Sequence, residues 1–456
     1  MEKCGRRTYW EEWAGDVARI ARTHITRIRT ILENPANKKE QSAFRGFVQE
    51  LRDDLNPSVT EEEVIEMLAQ HLITQPVFEA LFQGPTFDNQ YPVGSEPYPA
   101  KIDPDLPKPD PVLPGPDPDL ATVGMCQGKA DQYSHDGSGP AADNGFAARN
   151  PVSQGMQRVL DLLHEHHLEK EADTLQAFYN SVRMRAEGID NAEGKQKIIL
   201  ELYDKFFRNA FPRMTERLGI VYTPVEVVDF ILHSIEHLLK TEFHQSLGSP
   251  GVHIIDPFTC TGTFITRLLQ SGLIAPEQLP HKYHHEIHAN EIVLLAYYIA
   301  AINIETTYHA QVGAQQGYQP FPGICLTDTF RMDEGDDLIS ELLADNSERR
   351  TRQKELKDIR VIMGNPPYSA GQDSANDNNQ NIKYPRLDGR IRRTYVERTK
   401  ATNKNALYDS YIRAIRWASD RIGDAGIIGF VTNAGFLEAN TADGLRQCLA
   451  EEFSSA

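Results

Sequence analysis

The stretch IRVIMGNPPY, residues 359–368, sets an amide, two prolines and a phenol directly behind an apolar run. Neither Pro366 nor Pro367 has an N–H to give to a sheet ladder, so a strand through Val361, Ile362 and Met363 must end at Gly364. Beyond it, Asn365 and the carbonyl of Pro366 present two acceptors side by side, in a geometry that the prolines fix. Tyr368 adds a ring face. Such a set suits a planar, conjugated NH2 group. Two acceptors take its hydrogens, draw the nitrogen toward sp3 character and expose a lone pair to a positively charged methyl donor. Orientation and electrostatics would carry that chemistry, with no covalent intermediate. A base inside a duplex would have to flip out to reach it.

A second set is acidic. In VHIIDPFTCTGTF, residues 252–264, Asp256 ends a strand and can meet the cationic or amino end of a cofactor. Thr261, Gly262 and Thr263 then let the backbone approach a ligand before a helix begins. Downstream, Glu291 ends the next strand, where a carboxylate can hold ribose hydroxyls. Asp328 ends a third and can accept from an adenine amino group. Plain helix capping or a macrodipole preference would explain each one separately. Their order along one alternating segment favours a site.

That segment begins after residue 220. Strands are expected at His253–Asp256, His288–Ile292, Ile324–Asp328, Val361–Gly364 and Ile427–Thr432. Helices are expected at Thr263–Ser271, Leu294–Ile304, Leu338–Leu343 and Leu407–Ile422. The alternation implies an α/β fold with a mostly parallel sheet and helices on both faces, binding ligands at the carboxyl ends of its strands. Residues 8–83 and 151–219 read as helical instead. Thr60 with Glu63 forms a capping box, and His164, His166 and His167 lack the spacing of a metal site. Between them, residues 84–147 alternate proline with aspartate and read as a disordered linker.

The 456 residues carry a formal net charge of −18, which excludes coating nucleic acid by bulk electrostatics. A local exception follows the opening motif: residues 371–408 hold eight basic side chains against four acidic ones. The Lys383–Lys404 stretch is thus a candidate DNA contact. No apolar run suits a membrane span or a secretory signal. Five scattered cysteines indicate neither a disulfide framework nor zinc, and the expected location is the cytoplasm.

From about 220 to 440 the chain resembles the gamma-class amino-methyltransferases that use S-adenosylmethionine to make N6-methyladenine in DNA. NPPY at 365–368 matches their catalytic motif, which implies catalytic roles for Asn365, Pro366, Pro367 and Tyr368. DPFTCTGTF matches their cofactor motif, and YTPVEVVDFIL at 222–232 matches the segment ahead of it. The resemblance implies cofactor contacts from Tyr222, Thr223, Pro224, Asp256, Pro257, Phe258, Thr261, Gly262, Thr263, Glu291 and Asp328. It implies no metal. LITQPVFEALF, NPVSQGM and NEIVLLAYYIAAINIE further resemble the type ISP single-chain restriction–modification enzymes, whose nuclease, ATPase, coupler, methyltransferase and target recognition parts run in that order.

The implied fold is a Rossmann-like methyltransferase sheet, C-terminally truncated, preceded by a helical coupler that the Pro/Asp-rich linker interrupts. The expected domains are coupler at 1–83, linker at 84–147, coupler again at 148–219 and catalytic core at 220–456. The nuclease, ATPase and target recognition parts are expected elsewhere. Two departures from the family stand out. Cys260 replaces a glycine, at a cost of roughly 1–2 kcal/mol if the position needs φ > 0. The chain also ends soon after the fifth strand, which would leave an exposed sheet edge. Two alternatives stay open on the sequence. NPPY also serves enzymes acting on glutamine side chains or RNA guanine, or the chain is an inactive or partner-dependent fragment.

Overall fold

The computed structural model describes residues 7–82, 149–164, 223–313, 318–334, 341–368, 383–402 and 404–455. The Pro/Asp-rich stretch, most of the second coupler segment and Tyr222 lie outside the described residues. Three helices open the chain: α1 (Arg7–Glu33), α2 (Lys38–Asp54) and α3 (Glu61–Phe82). The capping box starts α3: Thr60 N donates to Glu63 Oε2 at 2.8 Å, and Glu63 N to Thr60 Oγ1 at 3.2 Å. A fourth, α4 (Pro151–His164), has proline at its first position, and Asn150 Oδ1 accepts from Val152 N and Ser153 N.

The remaining elements alternate: α5 (Val225–Phe243), β1 (His253–Asp256), α6 (Thr263–Gln270), β2 (Ile287–Glu291), α7 (Leu294–Val312), β3 (Ile324–Leu326), α8 (Ala344–Glu355), β4 (Ile359–Gly364), α9 (Pro385–Ile391), α10 (Ser410–Arg421), β5 (Ile427–Phe430) and α11 (Asp443–Glu452). The five strands form one parallel sheet in the order β3-β2-β1-β4-β5. Successive residues point to opposite faces, and both faces are covered. Ile254, Ala289, Val361 and Met363 join a core with α1 to α7, while Ile255 and Ile362 join a second one with α9, α10 and α11. Strand order reverses between β1 and β4. A crevice at the carboxyl ends of the strands belongs there, and it is where the two central motifs lie.

The strands fall within two residues of their expected ends. The helices match less closely, and α7 runs on to Val312, beyond its expected end at Ile304. Of Leu338–Leu343, only residues 341–343 are described, as bends, and the helix is Ala344–Glu355. Its buried positions are polar (Asn346, Ser347, Arg350 and Gln353), so apolar periodicity could not find it. The expected Leu407–Ile422 helix is split by Asp409, whose side chain caps α10 by accepting from Tyr411 N. Strand β5 is an edge of the described sheet, packed closely on α5: a Cβ at Gly429 would meet Ile231 and Ile235 at 2.9 Å.

Candidate active site

The turn after β1 is built on two left-handed residues, Cys260 at φ 50° and Gly262 at φ 87°. Besides its left-handed φ, Gly262 packs tightly on α7: a Cβ would lie 3.3 Å from Ala300 Cα and from Ile304 Cγ1, so the helix would have to give by a few tenths of an ångström. Cys260 does carry one, so the backbone strain expected for a replaced glycine is present. Thr259 Oγ1 donates to Asp256 O at 2.9 Å, and Asn303 Nδ2 of α7 to Thr261 O at 2.9 Å. Thr263 opens α6. Phe258 sets its ring 5.4 Å from Phe330 and 6.2 Å from Phe430.

Asp256, Glu291 and Asp328 end or follow three adjacent strands, and all three are buried. Burial pushes them above the usual carboxylate range: Asp256 to about 8, Glu291 to about 7 and Asp328 to about 6. Their surroundings differ. Glu291 takes Cys260 N at 2.7 Å and Val293 N at 2.8 Å, tying the β1 turn to β2. Asp328 caps a short 3-10 turn through Phe330 N, and its other oxygen accepts from Tyr384 OH at 2.8 Å. Asp256 accepts from Phe258 N with Oδ1, while Oδ2 is buried without a hydrogen-bond partner among the described residues. A set of desolvated carboxyls with one orphaned acceptor fits a ligand bearing cationic and amino groups.

Across the strand-order reversal, Gly364 lets β4 close on β1, since a Cβ there would meet Asp256 Oδ1 at 2.6 Å. The NPPY residues follow at once. Asn365 Nδ2 donates to Thr223 Oγ1 at 3.1 Å, which brings the segment before α5 to the motif and turns Asn365 Oδ1 the other way. Tyr368 OH lies 3.0 Å from Asn365 Oδ1 and 2.8 Å from Val431 O, with one proton to donate between them. The acceptor expected to receive a substrate amino hydrogen is therefore met by the motif's own phenol. Pro366 is buried, Pro367 is exposed, and the Tyr368 ring centroid lies 6.1 Å from that of Tyr411. Pro224 is exposed at the start of α5.

The basic stretch is partly tied up by its own chain. Arg390 pairs with Asp420, Arg398 with Glu451, and Arg386 and Lys404 donate to backbone carbonyls. Lys383, Arg392, Arg393 and Lys400 are exposed. Four supporting residues escaped the sequence reading. Tyr384 bonds Asp328. Thr329 Oγ1 donates to Pro257 O at 2.6 Å and accepts from Asn290 Nδ2, joining three strand ends, and Asn303 braces Thr261. Asn290 and Asn303, polar positions inside apolar runs, were the available signal. Nothing local marked Tyr384, which is 56 positions from Asp328.

Compared with known proteins, residues 194–452 match the family described as N-6 DNA Methylase. Residues 9–97 and 141–194 match the coupler domain of type ISP restriction–modification enzymes. No curated protein matches the chain. Among solved structures, it is similar to a nuclease-deletion mutant of the type ISP enzyme LlaGI in complex with a DNA substrate mimic (42% identity, TM-score 0.80). It is also similar to the ATP-dependent type ISP enzyme LlaBIII bound to DNA (44%, 0.79) and to a DrdV–DNA complex (29%, 0.74). These matches cover 99%, 99% and 97% of this chain but 32%, 26% and 37% of the others, so it spans well under half of their length.

Proposed function

The chain belongs to the N-6 DNA methylase family and carries a type ISP coupler, and from that premise we propose that it transfers a methyl group from S-adenosylmethionine to the N6 amino group of adenine in DNA, within a restriction–modification system. The observation that carries the reading is the meeting of two motifs at the strand-order reversal. Asp256, with its orphaned Oδ2, and Asn365, oriented by Thr223, flank Gly364 at adjoining strand ends.

S-adenosylmethionine supplies an electrophilic methyl group on a sulfonium. The chain's residues do the rest. Asp256, Glu291 and Asp328, with the turn from Pro257 to Thr263, would hold the cofactor. Asn365 Oδ1 and Pro366 O accept the two amino hydrogens of a flipped adenine, and Tyr368 stacks on its ring once the phenol leaves Asn365. Transfer would form the N–C bond, release the donor as its neutral thioether and leave one proton from the nitrogen for solvent. Lys383, Arg392, Arg393 and Lys400 are the exposed cations available to duplex phosphates.

The test is transfer of labelled methyl from S-adenosylmethionine into duplex DNA, with digestion to identify the modified base. Label in N6-methyladenine is expected, and Asn365→Ala should lower the rate about 100-fold or more while cofactor affinity holds. Label in protein or RNA alone would overturn the reading. One observation favours a second reading, a chain that keeps the fold without holding the cofactor: Cys260 has a side chain at φ 50°. Calorimetric titration of the cofactor into wild type and Cys260→Gly separates the two.

A further inference from the structure

The end of α2, in the coupler, is bonded to Thr327, the residue that follows β3 and precedes Asp328. Asp54 is buried, and its carboxylate accepts from Asn346 Nδ2 at 2.8 Å and Ser347 Oγ at 3.1 Å and pairs with Arg350. Its backbone carbonyl accepts from Thr327 Oγ1 at 3.0 Å. Asn346 in turn covers the free side of β3: its Oδ1 takes Leu326 N at 2.9 Å, and its Nδ2 gives to Leu326 O at 3.0 Å. An amide thereby takes the place of a neighbouring strand at this edge of the described sheet. Thr327 N donates to Glu291 O at 2.9 Å, and Asp328 is the next residue. One turn earlier on α2, Glu50 accepts from Leu342 N and Leu343 N at 2.9 and 3.0 Å, ahead of α8.

A buried ion pair of this kind adds little net stability, because desolvation offsets the attraction. A satisfied polar network does hold one geometry rather than several. Here the geometry held is that of Leu326 and Thr327, on which Glu291 and Asp328 both depend. We propose that Asp54 is a positioning residue for the cofactor site: through Asn346 and Thr327, the coupler helix sets the end of β3 and with it the carboxyl that receives the cofactor's adenine. The proposal rests on the cofactor assignment made above.

The experiment is calorimetric titration of S-adenosylmethionine into the full 456-residue chain as wild type, Asp54→Asn, Thr327→Val and the double variant, each with a thermal melt. Each single variant should fold and bind the cofactor about tenfold more weakly, the effect of losing one well-placed supporting hydrogen bond. The double variant should fall short of the product of the two, since both act on one clamp. Methyl transfer at saturating cofactor should stay within about two-fold, so the loss appears in KM rather than kcat. Wild-type affinity in folded variants would overturn the proposal and leave Asp54 a stability element, and so would failure of all three to fold. No binding by wild type would instead overturn the cofactor assignment on which it stands.

Discussion

Cys260 holds its backbone at φ 50° while its N–H donates to Glu291 and its thiol, pushed up to about 12 by burial, stays protonated. Glycine at 260 removes the left-handed penalty of roughly 1–2 kcal/mol and gives part of it back as unfolded-chain entropy. Cys260→Gly should therefore raise Tm by about 2 °C and tighten cofactor binding. A lower Tm by scanning calorimetry would show that thiol packing outweighs the strain. This position was legible beforehand, because a residue in place of a family glycine raises the question of φ directly. Tyr384 was not legible, since its bond to Asp328 joins residues that no local pattern connects. Its hydroxyl occupies one oxygen of a buried carboxyl that the cofactor's amino group would need. Tyr384→Phe frees that oxygen at a cost of about 1 kcal/mol to the unliganded protein. A cofactor Kd about fivefold lower is expected by titration, and a weaker one would mean that the phenol serves the bound state.

At the level of elements, three adjacent parallel strands end in or just before three buried carboxyls, and the consequence is a pH dependence. Asp256, Glu291 and Asp328 all have folded pKa values above their unfolded ones, at about 8, 7 and 6. The native state thus binds more protons than the unfolded state, and stability falls as pH rises from about 4 through 8. A cationic ligand reverses the sign by favouring the ionised forms. Melts between pH 6 and 8.5 should show a falling Tm without cofactor and a growing increment with S-adenosylmethionine, and an increment independent of pH would break the link. The strands that carry these groups were readable because a doubly covered parallel strand is a short apolar run ending in turn residues. Helix α8 was not, because it buries Asn346, Ser347 and Arg350 against Asp54, a partner that comes from another part of the chain.

On the scale of the molecule, the coupler and the methyltransferase sheet share one core. Ile28, Phe47, Leu68 and Leu160 belong to the same buried cluster as Ile254, Val361 and Ile299. The resemblance had presented them as successive domains, and sequence order alone cannot reveal that two stretches bury one another. A shared core with a polar clamp across it predicts one cooperative transition for both parts, with calorimetric and van't Hoff enthalpies in agreement. Ligand binding to the native state should then protect the whole unit. Hydrogen exchange followed by mass spectrometry reads this out region by region. Saturating S-adenosylmethionine should slow exchange at the carboxyl end of α2, around Leu51 and Asp54, as well as at the turn from Asp256 to Thr263. Slowing confined to the strand ends, or two separate transitions in the melt, would show that the coupler opens independently of the sheet. In that case Asp54 could not set the cofactor site, because the clamp would already be open in the states that bind the methyl donor.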